Sequence, residues 1–253
     1  MKNICLILEY DGSNLNGSQK QNDEKLVTVQ GELEKALNII LGYTPHTLFA
    51  GRTDAGVSSS DMYVNFYTDI DIRPSKFSYV LNNLMIKEVS VKKSFQANFD
   101  FHSRYDATSR TYRYRLLNSD IRRALRNNCV GFYKKKLDFD KMKEAWLSIL
   151  GKHDFTAFSK ESDRVNPECE IFSTTIEIID DEIVFHITAN SFMRGMVRFL
   201  VGTTIHIGEG ILKPEDLLNL IKLKDRKKVK FLAPPEGLCL TKVEYNNLEI
   251  IDG

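Results

Sequence analysis

The stretch Thr47-Leu48-Phe49-Ala50-Gly51-Arg52-Thr53-Asp54-Ala55-Gly56-Val57-Ser58-Ser59-Ser60-Asp61-Met62-Tyr63-Val64-Asn65-Phe66-Tyr67 decides how this chain folds. Met62, Val64 and Phe66 alternate with Tyr63, Asn65 and Tyr67, the period of two that marks a half-buried strand. Thr47 to Ala50 reads as a short strand, so the segment between is a loop joining two strands. Gly51 and Gly56 relax its backbone on either side of Asp54, and Arg52 is near enough to hold that carboxylate in its charged form. An ionised, positioned carboxylate is a candidate nucleophile or base. The plainer reading is an Asx-type turn beside a solvated arginine.

Working outward, residues 3 to 10 are β-rich and apolar, and 11 to 23 are rich in turn formers. Thr28 is placed to cap a helix with Val29, Leu33, Leu37 and Ile40 on one stripe and Gly42 at its end. Pro74 suits the first turn of a second helix whose Phe77, Leu81 and Leu84 face the core, and Val89 to Phe95 reads as a closing strand. The order β-α-β-β-α-β is the ferredoxin-like, split βαβ pattern. The second half reads similarly: an alternating strand at 107–117, a helix near 139–150 carrying Trp146, and strands at 174–179 and 183–188 joined by Asp180-Asp181. A long helix from about Ser191 to Ile205, a shorter one begun by Pro214 and a strand at 238–245 complete it. The expectation is an α+β chain of two tandem ferredoxin-like subdomains around a central cleft, 1–105 with the Asp54 loop and 106–253. The second half joins its middle strands by a minimal turn, whereas the first inserts the longer Asp54 loop, more than a connector needs.

With 253 residues and a hydrophobic fraction of 42%, the chain has material for one large core or two small ones, which excludes a disordered or fibrous protein. Cys5, Cys129, Cys169 and Cys239 lie far apart with no Cys-x-x-Cys pair, which speaks against a structural zinc site or a disulfide framework. Met1 to Tyr10 has too short an apolar run for a signal peptide and no stretch approaches a membrane span, so a cytoplasmic protein is expected. His46, His102, His153, His186 and His206 lack metal-ligand spacing. No glycine-rich phosphate loop follows a strand and there is no serine nucleophile elbow, so no cofactor and no metal are expected.

A net charge of +1 does not advertise a nucleic-acid binder, but its distribution is uneven. Arg104, Arg110, Arg113, Arg115, Arg122, Arg123 and Arg126 share one interval relieved locally only by Asp106 and Asp120. Lys222, Lys224, Arg226, Lys227, Lys228 and Lys230 form a second run. Each cluster can track a phosphate backbone or be a solvated face. Tyr112 and Tyr114 face one side of their strand while Arg113 and Arg115 face the other, so the tyrosines can stack on a base or fill a core. Arg194 and Arg198, four apart, share a helix face that can meet phosphates or pair within the core.

In order along the chain stand Tyr10-Asp11-Gly12 with Gln19, Thr28-Val29-Gln30-Gly31-Glu32-Leu33-Glu34, Gly51-Arg52-Thr53-Asp54-Ala55-Gly56-Val57 and Arg104-Tyr105-Asp106-Ala107-Thr108. Tyr112-Arg113-Tyr114, Gly151-Lys152-His153-Asp154-Phe155, Phe192 through Met196-Val197-Arg198 and Ala233-Pro234-Pro235-Glu236-Gly237-Leu238 follow. In these motifs, over nearly its whole length, the chain resembles the tRNA pseudouridine synthase A family. The resemblance implies a homodimeric enzyme without cofactor or metal that converts uridine to pseudouridine at positions 38, 39 and 40 of the tRNA anticodon arm. By motif position it implies that Asp54 is the catalytic aspartate and Arg52 its charge partner and a filler of the space left by the displaced base. Tyr112 would stack on the target uracil and Leu238 line the pocket, with Arg104, Arg194 and Arg198 as further RNA-binding candidates. Family members usually have histidine where Ser58 stands and tryptophan where Ser18 stands, and a histidine-rich helix face around Arg194 and Gly195. These departures are expected to fall on residues that touch or position RNA. A different RNA site, or a non-catalytic RNA-binding or folding factor of the same fold, are the alternative functions.

Overall fold

The computed structural model describes residues 1–23, 25–160 and 167–252, and the chain packs as two units, 1–108 with 240–253, and 109–239. Among the described residues no helix is long and apolar enough to cross a membrane.

The first unit begins with strand β1 (Lys2–Tyr10), helix α1 (Val29–Leu41), β2 (Leu48–Phe49), β3 (Ser58–Thr68), α2 (Lys76–Asn82) and β4 (Val89–Ala97). Its sheet runs β4-β1-β3-β2, with β1 antiparallel to β3 and β4. That is the split arrangement which the β-α-β-β-α-β order predicts. Thr28 caps α1 as expected, its Oγ1 accepting from Gly31 N–H, and Gly42 closes the helix at φ 79°. Leu84 departs from expectation: α2 stops before it, and the side chain is exposed.

β3 is buried more fully than its alternation suggests. Phe66 packs edge-on against Phe77, while on the opposite side Asn65 is wholly buried. Asn65 Nδ2 donates to Asn3 Oδ1 at 2.9 Å, and its Oδ1 accepts from both N–H and Oγ of Ser103. Asn3 Nδ2 in turn donates to the Phe101 carbonyl at 2.9 Å. A buried polar group needs such partners, and this network ties the chain after β4 onto the sheet.

The second unit follows with β5 (Ala107–Asn118), β6 (Gly131–Tyr133), α3 (Phe139–Ser148), β7 (Gly151–Asp154), β8 (Glu168–Ile179), β9 (Glu182–Ala189), α4 (Met196–Gly208) and α5 (Asp216–Leu223). Its sheet order is β5-β9-β8-β7, with β6 parallel to β5. β6 and β7 are short strands that periodicity did not reveal. Trp146 of α3 is fully buried against Phe185, and its indole N–H donates to the His186 carbonyl at 3.2 Å. α4 begins at Met196, not near Ser191, because Gly195 takes a left-handed φ of 76°. Arg194 therefore precedes the helix, and the shared helical face expected for Arg194 and Arg198 is absent.

Strand β10 (Leu238–Tyr245) and β11 (Ile250–Asp252) end the chain. From Leu240 onward these residues pack with the first unit: Ser59 Oγ donates to the Leu240 carbonyl, Val243 N–H to Asp61, and Tyr245 Oη to the Ser103 carbonyl.

The arginine-rich interval is less bare than its local sequence suggests, because the β8–β9 hairpin brings Asp181 and Glu182 to it. Arg115 makes a two-pronged pair with Glu182 at 2.6 and 2.9 Å, and Arg126 reaches both acids at 2.9 and 3.0 Å. Burial works against the charge of Asp181, but hydrogen bonds from Arg123 and Arg126 outweigh it and hold the carboxyl below its usual range. A carboxyl so depressed stabilises the fold above its unfolded pKa and ceases to do so as pH falls through its folded value. The Tm advantage of wild type over Asp181→Asn is thus expected to be largest near neutrality and to shrink below about pH 4. A Tm difference constant with pH would contradict it.

Candidate active site

Residues 10 to 18 form a mould for the Asp54 loop. Ala50 N–H donates to the Tyr63 carbonyl at 2.9 Å, anchoring the entry. Thr53 is buried, its Oγ1 2.9 Å from Tyr10 Oη. Ser18 meets Thr53 twice: Ser18 Oγ accepts from Thr53 N–H at 2.8 Å, and Ser18 N–H donates to the Thr53 carbonyl at 3.2 Å. Beyond Asp54, Gly56 N–H donates to the Leu15 carbonyl at 3.2 Å, Val57 N–H to the Asp54 carbonyl at 3.2 Å, and Gly12 N–H to Ser58 Oγ at 3.0 Å. Gly56 has a φ of 79°, which glycine adopts without strain. Half-buried Asp54 is thereby carried between two pinned segments.

Ser18 and Ser58, expected among the RNA-contacting positions, are instead engaged with the loop, and Ser18 is buried. Arg52 is exposed.

In the second unit Tyr112 lies in β5 opposite Ile187 of β9, nearly buried, with Phe192 set edge-on at 5.0 Å. Tyr114, two residues on, is a core residue: burial pushes its phenol up, and its Oη donates to the Pro234 carbonyl at 3.1 Å. Arg198 is buried, its Nε donating to the Ala233 carbonyl at 2.8 Å while its own carbonyl accepts from Ala233 N–H. Arg115 N–H donates to the Gly237 carbonyl, and Leu238 N–H closes a turn onto Pro235. These bonds pin the Ala233-to-Leu238 stretch and leave Leu238 buried. Arg194 is exposed, and its carbonyl accepts from Lys160 N–H at 2.9 Å.

Arg104, in the first unit, is exposed with its guanidinium 5.7 Å from the centre of the Tyr105 ring, and Tyr105 is 75% exposed. Tyr105 was singled out only as part of a motif, and an arginine over an exposed aromatic ring is a surface on which a base can stack. Its neighbour His102 has its pKa lowered by partial burial and by the Arg104 and His46 charges, against Asp106. In the lysine-rich run, Lys224 pairs with Asp154 at 2.8 Å and Arg226 stacks over Phe199 at 3.9 Å, whereas Lys222, Lys227, Lys228 and Lys230 are exposed.

The sequence profile of a family described as tRNA pseudouridine synthase matches residues 145–246. The chain is similar to the tRNA pseudouridine synthase A of Clostridium acetobutylicum, 39% identical over 97% of this chain and all of that protein. It is similar to those of Finegoldia magna (39%) and Caldicellulosiruptor bescii (36%) over the same shares. Among solved structures, one chain of a Cbf5-Nop10-Gar1 complex aligns over 94% of this chain and 49% of its own, at 13% identity and a TM-score of 0.40, too loose a likeness to add weight. Similarity that spans the full length of the relatives makes this chain a member of the tRNA pseudouridine synthase A family.

Proposed function

We propose that the chain isomerises uridine to pseudouridine on the 3′ side of the tRNA anticodon stem-loop, with Asp54 as its catalytic carboxylate. The observation that carries this reading is a carboxylate on a loop pinned before and after it, in a chain matched along its whole length by synthases of that name. The reaction breaks the N1–C1′ glycosidic bond, turns the uracil and joins C5 to C1′. The proton leaves C5 and N1 gains one, so no external reactant or redox change is needed. The base must first leave the helical stack. Asp54 then either adds to C1′ or C6 of the nucleotide, or stabilises positive charge developing at the sugar.

Tyr112 stacks on the uracil, Leu238 lines its pocket, and exposed Arg52 occupies the space that the flipped base leaves. Arg104, Arg194 and Arg198 serve RNA binding, the first with Tyr105 as a stacking surface. The protein works as a homodimer in the cytoplasm, a state that sedimentation mass checks.

Pseudouridine measured in unmodified tRNA after incubation with the purified protein tests the reading. Product in the anticodon arm is expected, and tight tRNA binding without product would overturn it. Tyr112→Phe is expected to keep its tRNA affinity and slow turnover through loss of a proton-transferring hydroxyl. An unchanged rate would restrict Tyr112 to stacking.

A further inference from the structure

We propose that Ser18 is a positioning residue for Asp54, acting through Thr53; the proposal rests on the reading of Asp54 as the catalytic carboxylate. Thr53 immediately precedes Asp54, so its two backbone dihedrals set the direction in which the chain delivers the carboxylate. Its N–H belongs to the peptide plane shared with Arg52, and its carbonyl to the plane shared with Asp54. Ser18 holds both: its Oγ accepts from the N–H at 2.8 Å, and its own N–H donates to the carbonyl at 3.2 Å. Fixing both planes fixes the residue between them.

Three features make the clamp tight. Ser18 is only 1% exposed, so water does not compete for Thr53 N–H. Gly17 lets the backbones approach: a Cβ there would lie 2.8 Å from the Thr53 carbonyl oxygen. Tyr10 Oη, 2.9 Å from Thr53 Oγ1, holds the side chain from a third direction. A tryptophan at position 18 has no acceptor to offer Thr53 N–H, so in this chain the loop is held by a bond that a tryptophan cannot make. Ser18 is thus a device inside the protein.

Ser18→Ala removes only the Oγ half of the clamp, leaving the backbone bond to hold the fold together. The expected result is a kcat lowered by about 10- to 100-fold, the loss that a small misplacement of a reacting group causes, with KM for tRNA unchanged. Ser18→Thr, which retains the hydroxyl, is expected to recover most of the rate. A Ser18 that merely fills space would instead lower Tm and leave kcat per folded molecule intact, and that result overturns the proposal. So does a loss that appears equally in kcat and KM, or one that Ser18→Thr does not relieve while its Tm matches wild type. Asp54→Asn measured alongside separates the two readings. If Asp54→Asn is inactive and Ser18→Ala runs at full rate, only the clamp fails; if Asp54→Asn stays active, the catalytic assignment itself fails.

Discussion

Asp54→Asn is expected to lower pseudouridine formation by at least about a thousandfold, the scale on which loss of a nucleophile or essential base is felt. The substitution keeps the shape of the side chain and removes its charge and nucleophilicity. The loop should survive it, because Thr53, Gly56 and Val57 are pinned by backbone hydrogen bonds that the substitution leaves in place. Affinity for tRNA should not fall, since one negative charge facing a polyanion disappears. Single-turnover pseudouridine yield with enzyme in excess, together with anisotropy of labelled tRNA, reads both quantities. A variant retaining a tenth of wild-type rate would show that Asp54 does not carry the chemistry.

Gly12→Ala is expected to lower activity by about 100-fold, although it lies 42 residues from Asp54. A Cβ at Gly12 would sit 2.3 Å from the Val57 oxygen, 2.4 Å from its carbonyl carbon and 2.7 Å from its nitrogen. All three are backbone atoms, so no side chain can swing away, and the loop end must shift as a unit. Overpacking of this kind costs about 1–3 kcal/mol of stability, and the shift is passed to Asp54 three residues earlier, where a misplacement near 1 Å costs about 100-fold in rate. Gly51→Ala is the matched control. Gly51 belongs to the same motif, yet a Cβ there meets nothing within 4 Å and its φ is not positive. Its folded stability should stay within about 0.5 kcal/mol of wild type. Urea melts of the two variants decide the matter, and equal stabilities would contradict the mould.

The contrast between these glycines shows what is legible in one dimension. The loop is legible because the strand after it shows alternation and because Arg52, Asp54 and the glycines stand out in composition. Which glycine matters depends on what lies against it, and Val57 lies against Gly12 only because residues 10 to 18 fold over the loop. Likewise Tyr112 and Tyr114 share one face of one strand, and alternation alone does not separate them. Packing separates them: Tyr114 is committed to Pro234 and the core, while Tyr112 lies against Phe192. Arg198 reads in sequence as a phosphate contact or a partner within the core, and packing sets its Nε against the Ala233 carbonyl.

The sequence by itself determined the capped helix at Thr28, the β-α-β-β-α-β pattern of the first unit and the loop that presents Asp54. All of these rest on periodicity and on local backbone preference, which act over a few residues. Only the tertiary structure decided that the arginine-rich interval is answered by Asp181 and Glu182, and that the last strand packs with the first unit. It alone showed that Ser18 clamps Thr53 where an RNA-facing residue was expected. Each is a pairing between groups remote in sequence, and charge neutralisation, hydrogen-bond satisfaction and exclusion of a Cβ depend on distance in space, which chain order does not specify.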